Sequence, residues 1–320
     1  MFKGIYTALL TPFNDRLELD QGSLVNLLKL QSSSINISGV VIAGTTGESP
    51  CLSNDEIKII ISIAKQLLRK DQKIILGISA NCLSVAVDKL DFYSKFDEID
   101  AYMVVTPYYN KPSQSGLIKY YESIASCSNK PIILYNVPSR TGVDLKVETI
   151  NKLSEINEIV AIKEANDDLN KIQSLLKIST NINVLSGNDH LNSNFSQLGA
   201  SGVISVLSNV APELVASQFL DKIDNNLKKK LNQFSQEIAQ KIQLGDIFFL
   251  LGDRLLRTSI RTNIELFNKS YELKTNSLSS CMSLKYDKGN PFNIVSIENR
   301  FPYDVPALPL INSKGSGFLF

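Results

Sequence analysis

Short apolar segments alternate with longer segments of helical spacing over about the first 230 residues of the chain. The short segments are rich in Ile and Val and are apolar on both faces, which is typical of parallel strands that helices cover on both sides. Their pattern predicts eight strands, at residues 4–10, 39–43, 73–79, 100–106, 131–137, 159–163, 182–186 and 202–206.

The longer segments predict amphipathic helices, because their apolar residues recur every three to four positions. In residues 54–68 these positions share one face, and Asn54 is the predicted N-cap ahead of two acidic residues. Residues 112–126 and 166–179 are predicted helices of the same kind. Eight strand–helix units in this length favour an α/β fold, a (β/α)8 TIM barrel. An open doubly wound sheet shows the same alternation and stays the alternative.

The pattern changes beyond the barrel, which is predicted to occupy residues 1–230. Residues 231–320 are expected to form an atypical C-terminal helical region followed by an irregular tail. Helical spacing continues to about residue 243, whereas beyond about residue 270 the chain is rich in Ser, Asn and Pro and shows no consistent period. That composition predicts a poorly ordered segment.

Composition and charge exclude several classes of protein. The 320 residues are 43% hydrophobic and 20% charged, and the formal net charge of +1 gives no overall field for nucleic acid or an anionic membrane. The longest apolar runs, such as residues 247–251, are far shorter than the roughly 20 residues that span a bilayer. The N-terminal residues are interpreted as a first strand rather than a signal peptide.

Cysteine and histidine are sparse. The four cysteines form no Cys-x-x-Cys pair, which argues against a zinc site or a disulfide framework and suits a reducing cytoplasm. His190 is the single histidine, so a His–His metal site is excluded and a Ser–His–Asp relay would depend on that one residue. We therefore expect no metal site and a cytoplasmic location.

Lys163 ends a predicted buried strand, where a polar group is costly to place. Active sites of such barrels lie at the carboxyl ends of the strands. Strand alternation puts Ala161 and Lys163 on one face and Val160 and Ile162 on the other. If Val160 and Ile162 pack against helices, Lys163 points into the barrel. A desolvated amine there is able to attack a carbonyl carbon and form a Schiff base. The alternative is a lysine whose stem covers apolar surface while its amine reaches water.

The neighbouring strand end, "YNVPSRTG" at residues 135–142, carries two further polar groups. Tyr135 is expected to face the interior one strand away from Lys163, where its hydroxyl is able to relay protons. Arg140 offers a planar fork suited to a carboxylate. Core packing for Tyr135 and a surface ion pair for Arg140 are the alternatives.

Three more strand ends are distinctive. The segment "AGTTGES" places Thr45 and Thr46 in a Gly-rich turn that is able to bind an anion. Adjacent aromatics, Tyr108 and Tyr109, precede a proline-bounded turn, and Gly187 permits close approach of a ligand to the backbone. Each signal is weak alone, but together with the lysine they indicate a carbonyl enzyme that works through an imine.

Four motifs occur in one order and spacing: "GTTGES" at 44–49, "TPYYNKPS" at 106–113, "YNVPSRTG" at 135–142 and "IKEA" at 162–165. With "GVISV" at 202–206, they resemble the 4-hydroxy-tetrahydrodipicolinate synthase (dihydrodipicolinate synthase) family over roughly residues 1–215. That family belongs to a superfamily of Schiff-base lyases. The arginine of the third motif favours the synthase over sialic-acid lyases and sugar-acid aldolases.

The resemblance implies a lyase that condenses pyruvate with L-aspartate 4-semialdehyde through an imine on Lys163, the first committed step of diaminopimelate and lysine biosynthesis. It implies that Thr45, Tyr135 and Tyr109 relay protons, with Tyr109 reaching in from a neighbouring subunit of a homotetramer, a dimer of tight dimers. It implies no cofactor, metal, nucleic acid or membrane. The residues implied to bind the substrates are Thr46, Arg140, Gly187 and Ile204.

One departure from the family pattern concerns regulation. Many bacterial relatives bind lysine as an inhibitor, using histidines in the helix after the first motif and an acid after the third strand. The matching positions here are Asn54, Ile57 and Val85. Apolar side chains would leave the amino group of the inhibitor unpaired, so weak or absent inhibition by lysine is expected.

The other departure concerns the C-terminus. The family carries an Asn-Pro-Ile-Pro-x-Lys stretch after the last barrel helix, and from about residue 240 this chain does not align with it. Two alternatives to the synthase therefore stay open: another pyruvate-dependent Schiff-base aldolase, acting on a sugar acid or sialic acid, and a non-catalytic relic. The retained residues argue against a relic: Thr45, Tyr109, Tyr135, Arg140 and Lys163.

Overall fold

The computed structural model describes residues 2–14, 16–178 and 181–219, and beyond them the backbone of residues 282–287, 290–299 and 308–309. Within residues 2–219, eight strands form a closed parallel barrel in which each strand pairs with the next and the last pairs with the first. The predicted (β/α)8 barrel is confirmed, and the open sheet is wrong. The strands are β1 (Gly4–Ala8), β2 (Ile37–Ile42), β3 (Lys73–Ile78), β4 (Ala101–Val105), β5 (Ile132–Asn136), β6 (Ile159–Glu164), β7 (Asn183–Ser186) and β8 (Gly202–Ser205).

Helices separate the strands along the chain. The described helices are α1 (Gln21–Ser33), α2 (Asn54–Leu67), α3 (Leu83–Tyr93), α4 (Gln114–Cys127), α5 (Pro138–Thr141), α6 (Val147–Leu153), α7 (Leu169–Ile178), α8 (Asn192–Gln197) and α9 (Pro212–Phe219). The helices predicted at 54–68, 112–126 and 166–179 are present as α2, α4 and α7, with small shifts at their ends. Among the described helices, none combines the length and the apolar character that crossing a membrane requires.

The N-cap of helix α2 lies one residue earlier than the sequence predicted, at Ser53 and not Asn54. The Ser53 hydroxyl accepts the Glu56 N–H at 3.2 Å, and the Glu56 carboxylate accepts the Ser53 N–H at 2.9 Å. This capping box satisfies two backbone donors at once. The Asn54 side chain instead accepts a hydrogen bond from the Tyr93 hydroxyl at 2.9 Å.

The barrel interior is an apolar core built from alternate residues of the strands, as the two-residue period of a strand requires. Tyr135 and Ala161 belong to this core. Lys163 lies two residues beyond Ala161 on β6 and therefore shares its inward face. The core also contains Tyr6, Ala8, Val41, Ile75, Ala101, Met103, Val105, Ile133, Leu185 and Ile204.

The C-terminal region carries three strands where the sequence predicted irregular structure. Strands β9 (Met282–Asp287), β10 (Asn290–Asn299) and β11 (Leu308–Pro309) form an antiparallel sheet in the order β11-β10-β9. The alternation in "MSLKYD" indicates a strand, and the Ser- and Asn-rich composition around it obscured that signal. The first part of the helix predicted up to about residue 243 is present as α9, whereas its continuation beyond Phe219 and the domain boundary at residue 230 lie outside the described residues.

Candidate active site

Lys163 and Tyr135 form the centre of the site, at the carboxyl ends of β6 and β5. The two residues are partners in the parallel register of these strands. The Lys163 Nζ lies 4.4 Å from the centre of the Tyr135 ring, and both side chains are buried. An amine over an aromatic face is held by a cation–π attraction when it is protonated. The arrangement therefore fixes an amine in a water-poor place beside a phenol.

The turn after β2 brings Thr45 and Thr46 to the same end of the barrel. The Glu48 N–H donates to the Thr45 carbonyl oxygen at 3.1 Å, and Glu48 adopts a left-handed backbone with φ of 55°. Gly77 on β3 permits this tight path, since a Cβ there would lie 2.3 Å from the Ala43 carbonyl oxygen. The Thr46 side chain is buried, whereas Thr45 is exposed.

Tyr109 does not join the buried pair. It lies in the loop after β4, adopts a φ of 72° and is 85% exposed. Its N–H donates to the Thr141 carbonyl oxygen at 3.3 Å, which links this loop to the loop after β5. The preceding residue, Tyr108, packs instead against the core of the barrel. A role for the Tyr109 side chain in the site of a neighbouring subunit stays a prediction.

Arg140 lies on α5, in the short loop that follows β5. Its side chain is exposed, and its N–H donates to the Val137 carbonyl oxygen at 3.0 Å. Gly142 caps the end of this helix, with a φ of 71°, and a Cβ there would lie 3.0 Å from the Lys111 Cε. The backbone of this loop thus determines where the guanidinium is presented.

Gly187 and Ile204 occupy two different environments. Ile204 on β8 is fully buried in the core and pairs with Tyr6 on β1. Gly187 follows β7 and donates its N–H to the Glu164 carbonyl oxygen at 2.8 Å. A Cβ at Gly187 would lie 2.8 Å from the Ala165 Cβ. Close packing of the ends of β6 and β7 therefore requires glycine at this position.

Sequence reasoning missed the residue next to Lys163. Glu164 points away from the barrel interior, is fully buried, and accepts hydrogen bonds from the Asn136 amide at 2.8 and 3.0 Å. The Lys171 Nζ lies 3.2 Å from its Oε2. Burial raises the pKa of Glu164 to about 7, against the opposing effects of Lys171 and Asn136. The signal was available, because an acid on the helix-facing side of a buried strand requires a partner.

Asp189 is a second buried acid that the sequence did not single out. Its Oδ2 accepts the N–H groups of Val206 and Leu207, each at 2.9 Å, just beyond the end of β8. Its Oδ1 accepts the Asn192 amide at 3.2 Å. The carboxylate thus anchors the turn after the last strand of the barrel. In residues 2–14, 16–178 and 181–219, no group of three His, Cys, Asp or Glu side chains is arranged to hold a metal ion.

A closed parallel barrel with a buried lysine on the sixth strand, over a tyrosine ring on the fifth, agrees with the Schiff-base lyases that the sequence motifs resemble. The sequence profile described as the dihydrodipicolinate synthetase family matches residues 1–251. The chain belongs to this family. The match reaches beyond the roughly 215 residues over which the motifs indicated a resemblance, and residues 252–320 lie outside it.

Individual relatives agree with this assignment. A 4-hydroxy-tetrahydrodipicolinate synthase of Magnetococcus marinus is 40% identical over 250 residues, which are 78% of this chain and 83% of the relative. The 4-hydroxy-tetrahydrodipicolinate synthase structure from Methylacidiphilum fumariolicum SolV has a TM-score of 0.75 and 30% identity, over 87% of this chain and 98% of that one. The dihydrodipicolinate synthase of Acinetobacter baumannii, complexed with pyruvate, also has a TM-score of 0.75 and 30% identity, over 87% and 99% of the two chains.

Proposed function

We propose that the chain condenses pyruvate with L-aspartate 4-semialdehyde to give 4-hydroxy-tetrahydrodipicolinate, as a lyase of diaminopimelate and lysine biosynthesis. The observation that carries the proposal is the buried Lys163 amine, 4.4 Å from the centre of the Tyr135 ring. A nucleophilic lysine is activated when its surroundings are desolvated. Membership of the family and the pyruvate complex of one relative support this choice of first substrate.

The chemistry needs no external oxidant or reductant. The Lys163 Nζ attacks the C2 carbonyl of pyruvate, and water leaves as the imine forms. Loss of a proton from C3 gives an enamine, whose C3 attacks the aldehyde carbon of the second substrate and makes the new carbon–carbon bond. The aldehyde oxygen takes up a proton and becomes a hydroxyl. The substrate amine then attacks the imine carbon, closes the ring and releases Lys163.

The proton transfers are assigned to Tyr135, Thr45 and Tyr109. Tyr135 is the member that lies against the nucleophile. The 85% exposure of Tyr109 supports a role in a partner subunit, in a homotetramer built as a dimer of tight dimers. Binding of the pyruvate carboxylate is assigned to Thr46, and binding of the semialdehyde carboxylate to Arg140. Gly187 and Ile204 are assigned to the pocket lining through their backbone atoms.

Borohydride reduction in the presence of pyruvate tests the imine directly. We expect a stable adduct that peptide mass spectrometry maps to Lys163 and that is absent from the Lys163→Ala variant. Lys89, on α3, is the internal control, because burial lowers the pKa of its amine. An adduct at Lys89 instead of Lys163 would mean that trapping depends on desolvation of the amine alone. A folded protein that forms no adduct would support the alternative of a non-catalytic relic.

The second substrate is tested with Arg140→Ala. Loss of a bidentate partner for a carboxylate is expected to lower kcat/KM for aspartate semialdehyde by about a hundredfold or more, while pyruvate trapping persists. Turnover of a sugar acid that is unchanged in the same variant would favour the aldolase alternative.

A further inference from the structure

A cluster of four polar side chains lies on the helix-facing side of β5 and β6, behind Tyr135 and Lys163. Its members are Asn136, Asp144, Glu164 and Lys171. The Lys171 Nζ lies 2.5 Å from the Asp144 Oδ1 and 3.2 Å from the Glu164 Oε2. The Asn136 amide donates to the same Asp144 oxygen at 2.7 Å and to Glu164 at 2.8 Å. One ammonium and one amide therefore join two carboxylates.

The cluster joins the two ends of the loop that carries Arg140. Asn136 is the last residue of β5, and Asp144 lies eight residues later, beyond α5. The Asn136 Oδ1 also accepts the Leu145 N–H at 3.0 Å. Side-chain hydrogen bonds, rather than backbone pairing between strands, therefore join the two ends of the loop. Closing a loop in this way removes much of the conformational freedom of the residues inside it.

A third element supports the same loop from the side of α4. The Gln114 amide donates to the Asp144 carbonyl oxygen at 2.7 Å. The Gln114 Oε1 accepts the Lys146 N–H at 3.1 Å and the Thr149 hydroxyl at 2.6 Å. The end of the loop is thus attached to helices on both sides, α4 through Gln114 and α7 through Lys171.

The charged members of the cluster are buried, so each of them depends on its partner. The Glu164 side chain is fully buried, and the Lys171 side chain is only 9% exposed. A buried charge that loses its partner becomes strongly unfavourable. Lys171 is the cation that Asp144 and Glu164 share, and it lies on α7, outside the strands that carry Lys163 and Tyr135.

We propose that Lys171 and Glu164 are positioning residues that act through Asp144 and Asn136 to hold the Arg140 loop in the conformation that binds the second substrate. This inference rests on the proposed function, in which Arg140 meets the carboxylate of the semialdehyde. The cluster sets the affinity for that carboxylate and leaves imine formation with pyruvate unaffected. A loop that is ordered before binding loses less entropy when the ligand arrives.

Steady-state kinetics of three variants test the inference. Lys171→Met keeps the apolar stem of the side chain and removes its charge. We expect the KM for aspartate semialdehyde to rise about tenfold or more in this variant. We expect kcat and the KM for pyruvate to change less than about threefold. Lys171→Arg keeps a cation that is able to bridge two carboxylates and is expected to restore most of the affinity. The control is Lys177→Met, an exposed lysine of the same helix, which should leave every constant unchanged. Equal effects on both substrates, or none, would overturn the inference.

Hydrogen exchange separates this inference from the proposed function. In Lys171→Met, amides in residues 137–146 are expected to exchange faster than in the wild type, whether or not the protein turns over the semialdehyde. Unchanged exchange there would overturn the positioning role, and a wild type without a pyruvate adduct would overturn only the proposed function.

If Lys171→Met fails to fold, Asp144→Ala replaces it, because that change leaves the buried pair of Glu164 and Lys171 intact. The same selective rise in KM and the same faster exchange are expected.

Discussion

The Lys163 amine lies against the face of the Tyr135 ring, 4.4 Å from its centre, on strands that pair in parallel register. The ring and the hydroxyl of Tyr135 thus have separate effects. The ring covers the amine and excludes water, whereas the hydroxyl at its far end is the group able to transfer protons. Substitutions that remove one and keep the other distinguish these effects.

Tyr135→Phe removes only the hydroxyl. We expect the pyruvate adduct at Lys163 to form, while kcat for the complete reaction falls by about 10² to 10⁴, the range for loss of a general acid–base group. Tyr102→Phe is the matched control, because the buried Tyr102 hydroxyl has no hydrogen-bond partner among the described residues. Full activity of Tyr135→Phe would remove Tyr135 from the proton relay.

Tyr109 is predicted to act in the site of a neighbouring subunit. Tyr109→Phe and Lys163→Ala are each expected to be inactive alone. When the two chains are co-expressed and assemble randomly into tight dimers, about a quarter of the sites should hold both an intact lysine and an intact tyrosine. Recovery of activity in the mixture, with light scattering to establish the assembly, is the expected result. A mixture as inactive as its components would show that Tyr109 does not act in the partner's site.

Lysine is predicted to be a weak inhibitor. Ile57 is buried, and the Asn54 side chain is engaged by the Tyr93 hydroxyl, so neither offers a free polar group of the kind that the regulated relatives use. Val85 is 45% exposed and tolerates a charged replacement. Inhibition curves should show little effect of micromolar lysine on the wild type and a measurable increase in sensitivity for Val85→Glu. Strong inhibition of the wild type would contradict the prediction.

Glu164 is expected to make stability depend on pH. Burial raises its pKa from 4.5 to about 7, so the folded state binds this proton more tightly than the unfolded state does. Its contribution to stability is therefore fully present below pH 4.5 and is lost as the pH rises through about 7. The free energy of unfolding of the wild type relative to Glu164→Gln should fall by an amount on the order of 3 kcal/mol across this range.

Urea unfolding at several pH values between 4.5 and 8 measures that difference. Glu158→Gln is the control, because Glu158 is exposed just ahead of the same strand, and its difference from the wild type should not vary with pH. A difference for Glu164→Gln that is equally independent of pH would mean that the buried carboxylate stays charged throughout, held by Lys171.

The strands were predictable because each depends on a short local pattern. All eight segments of Ile and Val lie within two residues of their predicted positions. The two-residue period also predicted the inward face of Lys163, because it puts Lys163 opposite Val160 and Ile162, which were expected to pack against helices. Boundaries were less predictable, and Ser53 shows the reason: whether Ser53 or Asn54 caps α2 depends on which one forms the reciprocal pair with Glu56.

The sequence by itself determined the barrel, the face on which Lys163 lies and the family to which the chain belongs, because periodicity and motif spacing are properties of adjacent positions. Tertiary structure alone decided that Glu164 meets Asn136, 28 residues away, and that Lys171 joins Glu164 to Asp144. It also decided that Tyr109 is exposed while Tyr135 and Lys163 are buried, and that Gly187 packs closely on Ala165. Such contacts form only after the barrel has closed and brought particular strand ends side by side. A pattern of adjacent residues does not show which distant residues will then be neighbours.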